Sequence, residues 1–85
     1  MDKISFKDAI TLTQEVVERN GYELIAVKPI SAHLEDSYLT VVLCDRHTEH
    51  QPFVTWICNL SCQGLGTGYY FDNLKDALKK FNERD

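Results

Sequence analysis

The sequence predicts an α+β domain of order αββββα, built in two layers, with a four-stranded antiparallel meander and both helices on one face. Three observations carry this prediction. Apolar residues recur at helical spacing near the two ends, the period changes to two between them, and the connections are too short for parallel crossovers.

Ser5 with Asp8 three residues later forms a capping-box pattern, and Phe6, Ala9, Ile10, Thr13, Val16 and Val17 follow at helical spacing. Asn20-Gly21 closes this first helix as a left-handed cap. Tyr22 to Ile30 reads as the first strand, Ser37 to Cys44 as the second, Phe53 to Leu60 as the third and Thr67 to Phe71 as the last. Polar residues from Asp45 to Pro52 join the second and third strands, and Ser61 to Gly66 join the third and fourth. Asn73 caps the final helix with Asp76 at its third position, and Leu74, Ala77, Leu78 and Phe81 form its apolar stripe.

Strand parity then sorts side chains into faces. Leu39, Val41 and Leu43 make one apolar row, and Val54, Trp56, Cys58 and Leu60, continued by Gly68 and Tyr70, make a second; together they are expected to be the core beneath the helices. The opposite face would hold Tyr38, Thr40, Val42 and Cys44 beside Phe53, Thr55, Ile57 and Tyr69. The first strand fits either way, through Leu24 and Ala26 or through Ile25 and Val27.

Two strands apolar on both faces are unusual in a small sheet, and the chain carries helix enough for one face only on this reading. The expected consequence is a partner-binding surface made of Tyr38, Thr40, Val42, Phe53, Thr55, Ile57 and Tyr69, since aromatic residues set among small polar ones match interface cores. A half-wet sheet surface is the plain alternative. The partner would be another protein or, most simply, a second copy in a homodimer.

Cys44, His47, His50, Cys58 and Cys62 are zinc-type ligands. With Cys44 opposite Phe53, Cys58 would lie roughly 16 Å along the sheet, beyond the reach of one tetrahedral ion. Only Cys44, His47 and His50 could converge, on a loop for which solvation is the favoured reading, so no metal or cofactor is expected. Cys58 suits the core, and Cys62 a turn with no base nearby to activate it. Gly64-Leu-Gly66-Thr-Gly68 leads into a strand rather than a helix, so it reads as turn chemistry and not as a phosphate loop. His33, His47 and His50 fall in predicted connections beside ordinary polar residues, Glu35 and Asp36 near His33 offer only local charge, and there is no nucleophile elbow, so no enzymatic activity is expected.

Composition narrows the class. At 85 residues the chain is one domain spanning 1–85, with room for a modest core and no deep enclosed cleft. Apolar residues at 44% and charged residues at 26% are globular values. A net charge of -4 opposes direct nucleic-acid binding, and thirteen acidic residues interspersed with nine basic ones read as a solvated surface rather than a phosphate mimic. The longest apolar run is far short of a membrane span and no leader-type apolar region opens the sequence, so a cytoplasmic protein with reduced thiols is expected.

The run Phe53-Val-Thr-Trp56, then Gly68-Tyr-Tyr-Phe71, then Ala77 and Phe81 resembles small uncharacterised proteins of bacteria, phages and mobile elements. Proteins of this size and charge are similar in style to anti-defence proteins, including anti-CRISPR inhibitors, which act by binding. The resemblance implies a small inhibitor of a host defence protein and assigns no site residues. The element order also resembles the αβββα double-stranded RNA-binding domain, but Lys75, Lys79 and Lys80 are too few basic residues to meet phosphates across a groove.

Overall fold

The structure, a computed structural model, describes residues 6–29, 39–60 and 64–84. The elements follow the expected order: α1 (Phe6–Arg19), β1 (Glu23–Pro29), β2 (Leu39–Asp45), β3 (Phe53–Asn59), β4 (Gly64–Phe71) and α2 (Leu74–Glu83). The strands form one antiparallel meander in the order β1-β2-β3-β4. Ser5, His33, Glu35, Asp36, Tyr38 and Cys62, singled out in the sequence, lie outside the described residues.

Helix α1 ends as its sequence requires. Gly21 takes φ +86°, the Gly21 N–H donates to the Glu18 carbonyl at 3.0 Å, and the Tyr22 N–H donates to Val17 at 3.2 Å, completing a Schellman cap. At the start of α2 the Asp76 N–H donates to Asn73 Oδ1 at 2.9 Å, satisfying one of the orphan donors of the first turn. At its end the Arg84 N–H donates to the Lys80 carbonyl.

The helices take opposite faces of the sheet, not one face as the sequence had suggested. Ala9, Val16 and Val17 of α1 pack with Val42, Cys44, Val54, Trp56 and Cys58, whereas Ala77 and Phe81 of α2 pack with Val41 and Leu43 and with Phe53, Ile57 and Phe71. The cause is a register one residue away from the expected one. Cys44 pairs with Val54 and Asp45 with Phe53, so Val42 faces Trp56 and Val41 faces Ile57. Because side chains alternate, that single step exchanges every row of β3 between faces relative to β2. Each apolar face thereby receives its own helix. Burying Val16 and Val17 alone contributes about 1.5–3 kcal/mol each.

Two irregularities complete the sheet. The β1–β2 register shifts between Leu24 and Ala26, leaving Ile25 as the extra residue, 40% exposed. Leu24 and Val27 therefore serve the α1 face and Ala26 the α2 face, so both alternative rows of the first strand are half right. The β3–β4 register shifts between Thr55 and Ile57, with Thr67 at φ +53° on the facing strand. Gly64, Gly66 and Gly68 lie within β4 and not in a turn before it. Gly68 is required there, since a Cβ would stand 2.6 Å from Nε1 of Trp56, an indole held between Tyr22 and Tyr70.

Candidate functional site

The expected open face does not exist as a single surface. Thr40 and Val42 point to the α1 side and Phe53, Thr55, Ile57 and Tyr69 to the α2 side, and Thr40, Val42 and Thr55 are fully buried. The Thr40 hydroxyl is spent inside, 3.2 Å from the Thr13 hydroxyl of α1. Of the expected anchors, Phe53 and Ile57 are partly buried against α2, and Tyr69 alone among the described ones is largely exposed, at 44%.

Tyr69 and Ile57 open onto a shallow groove of about 290 Å³ where the end of α2 lies over β3 and β4; Lys80, Glu83 and Arg84 complete its walls. The bulge shapes this place. Interrupting the β3–β4 ladder locally bends the strand and frees backbone groups, and the Arg84 guanidinium fills the gap. Its Nη1 donates to the Thr55 carbonyl at 3.0 Å and to Thr55 Oγ1 at 2.8 Å, and its Nη2 donates to the Thr67 carbonyl at 2.9 Å. Partial burial lowers the Arg84 pKa from its ordinary value, an effect opposed by the neighbouring Tyr69.

Arg84 and Lys80 are one helical turn apart, so both meet the same ring. Lys80 Nζ lies 4.4 Å and Arg84 Cζ 4.8 Å from the Tyr69 centroid, within cation–π range. Among the described residues neither cation has a carboxylate within ion-pair distance. A second hollow of about 270 Å³ shares Ile57 and runs on past Leu39 and Asn59 to the β4 backbone at Gly64 and Gly66. The two make one trough along β4, apolar at its middle and cationic at the α2 end.

On the other face Arg46 stacks on Tyr70, with its Cζ 4.7 Å from the centroid. The same guanidinium ties down the β2–β3 loop, donating to the Gln51 carbonyl at 2.8 Å.

Cys44, His47 and His50 do not converge. Cys44 is fully buried on the α1 face, where desolvation and then the nearby Cys58 push its thiol from 9.0 up to about 12, the opposite of what a thiolate ligand needs. His50 turns toward Asp72 at 3.9 Å. His47 goes instead to the start of β1, with its Nε2 2.8 Å from Glu23 Oε1 and its Nδ1 3.7 Å from Asp45 Oδ2. Glu23, Asp45 and His47 are thus the group, among the described residues, whose donor atoms lie close enough for one ion, all within 4.8 Å; the His47–Glu23 contact already occupies the imidazole.

Sequence reading missed Lys80, Arg84 and Glu23. The i, i+4 spacing of Lys80 and Arg84 at the close of an amphipathic helix was the available signal for the first two. No protein-family model, curated protein or solved structure matches the chain. No helix among the described residues is long and apolar enough to cross a membrane.

Proposed function

We propose that this chain is a small non-enzymatic binding module whose partner is another protein, held in the trough between β4 and the end of α2. The observation that carries this reading is Tyr69, an exposed aromatic ring flanked by two cations that have no ion-pair carboxylate among the described residues, and continuous with Ile57. Aromatic side chains beside arginine are the residue types that dominate interface energetics. The trough is open and shallow, which suits a polypeptide laid along it better than a substrate enclosed for chemistry.

Site-specific photo-crosslinking tests it. Replacing the exposed Glu83 by p-benzoylphenylalanine in cells should give one discrete adduct, competed away by unlabelled wild type and not by Tyr69→Ala. The same label at Gln14, on the outer face of α1, should give none. Adducts from Gln14 alone would overturn the reading.

A further inference from the structure

We infer that the segment bound in the trough is an acidic, extended stretch of polypeptide that seats an Asp or Glu carboxylate beside Lys80 and Arg84 at the Tyr69 ring. This rests on the reading of the trough as a protein-binding surface and adds the chemistry of the occupant.

Charge is segregated in this chain. Lys75, Lys79, Lys80 and Arg84 on and just beyond α2 stand beside Asp76, Glu83 and Asp85 in the sequence, a local +1 on a protein of net charge -4, which leaves -5 on the remainder. Two of those cations converge on one ring with no carboxylate of the described residues within ion-pair distance, although Glu83 lines the same groove, and the three oxygens that Arg84 touches are all neutral. A cation half-withdrawn from water and paired only with neutral acceptors favours an anion more than a fully hydrated one does. A carboxylate meets that need with the geometry guanidinium prefers.

The run of the trough along β4 suits an extended ligand. From the cationic end it continues through Ile57 to Gly66, where an added Cβ would meet nothing within 4 Å, so bare backbone is open to a close approach. Alternate side chains of a strand-like segment can dip into such a surface, one acidic at the α2 end and one apolar over Ile57. A nucleic-acid phosphate would share the attraction locally, but a polyanion running beyond the trough meets the -5 of the remaining surface.

Fluorescence anisotropy with a labelled octapeptide alternating Glu and Leu, its Gln-for-Glu counterpart and a labelled single-stranded DNA octamer tests this on the full chain. The Glu peptide should bind at least about fivefold more tightly than the Gln peptide and weaken as salt rises. Lys80→Gln should weaken it about threefold to fivefold, and Glu83→Lys should strengthen it by a similar factor. Both side chains project from the surface of α2, and circular dichroism confirms that the variants fold. Equal binding of the two peptides, indifference to both substitutions, or tighter binding of the DNA would overturn the inference. A crosslinked adduct from Glu83 together with no preference for the Glu peptide would sink the acidic ligand alone; failure of both would sink the trough as a binding surface.

Discussion

Arg84 and Thr55 are joined twice, the Arg84 Nη1 donating both to the Thr55 carbonyl oxygen and to its side-chain hydroxyl, at 3.0 and 2.8 Å. Thr55 is fully buried in a central strand at the point where the β3–β4 ladder shifts register. The residue that closes α2 therefore repairs the sheet, and the same guanidinium stacks on Tyr69. Fold and candidate site share this one side chain.

Removing the Arg84 side chain should accordingly destabilise the domain. Arg84→Ala leaves acceptors on Thr55 and Thr67 without their charged donor, a loss of about 2 kcal/mol, discounted from a fuller value because the guanidinium is partly solvated. Arg84→Lys should recover only a fraction, since one ammonium cannot reproduce the planar fork. Urea denaturation of the three proteins gives the order directly.

Gly68 and Gly66 stand two residues apart in β4 and should respond differently to alanine. At Gly68 the new Cβ would lie 2.6 Å from Trp56 Nε1, and the indole cannot yield because Tyr22 and Tyr70 hold it with ring centroids 4.9 and 6.1 Å away. Gly68→Ala should cost about 1–3 kcal/mol and alter the near-ultraviolet circular dichroism of the tryptophan. Gly66→Ala meets open space and should leave both nearly unchanged.

The elements were legible in the sequence, and the pairing between them was not. Helical spacing, the Asn20-Gly21 cap and the Asn73 cap specify local structure through contacts a few residues apart, and the structure forms each of them. Register depends on where the β2–β3 loop closes. The Arg46 N–H donates to the Pro52 carbonyl at 2.7 Å, which sets Asp45 against Phe53, one residue away from the expected pairing of Cys44 with Phe53. Nothing local in that polar loop distinguishes the two. The informative signal is the apolar character of β2 and β3 on both faces, which arises because both faces are covered. Bulges at Ile25 and Thr67 break strand parity in a way alternation cannot reveal, and Lys80 and Arg84 acquire meaning only once the second bulge places Thr55 and Thr67 beneath them. Leu74 and Leu78 belong to the apolar stripe of α2 by spacing yet are each 42% exposed, because the helix docks through Ala77 and Phe81.

The two buried hydroxyls of Thr13 and Thr40 lie 3.2 Å apart between α1 and β2, both fully shielded from water. Thr13→Val should destabilise by about 1–2 kcal/mol because it strands the Thr40 hydroxyl, and Thr40→Val should do the same in reverse. The double variant removes both polar groups at nearly constant shape and should regain much of the loss. The interaction energy in the double-mutant cycle should then be clearly non-zero; simple additivity would show that the pair does not act as a unit.

Cys44 should make the domain sensitive to alkaline pH. Its thiol is pushed from 9.0 up to about 12, first by desolvation and then by Cys58, so the folded state holds the proton after the unfolded state has released it. The unfolded chain binds fewer protons between those two values, and stability contributed by this site must fall as pH rises through that window, at a limiting slope of roughly 1.4 kcal/mol per pH unit. Below pH 9 the contribution is complete and flat. The measurement is a difference: the stability gap between wild type and Cys44→Ala, followed by urea denaturation from pH 7 to about 10.5, should narrow as the solution becomes more alkaline. At pH 8 the native Cys44 thiol should also resist a disulfide reagent on the timescale on which an exposed cysteine reacts, and yield to it at the rate of unfolding. A gap that is constant with pH, or prompt labelling of Cys44 in the folded protein, would show that the α1 face of the sheet is wetter than the packing of Val16, Val17 and Cys44 implies.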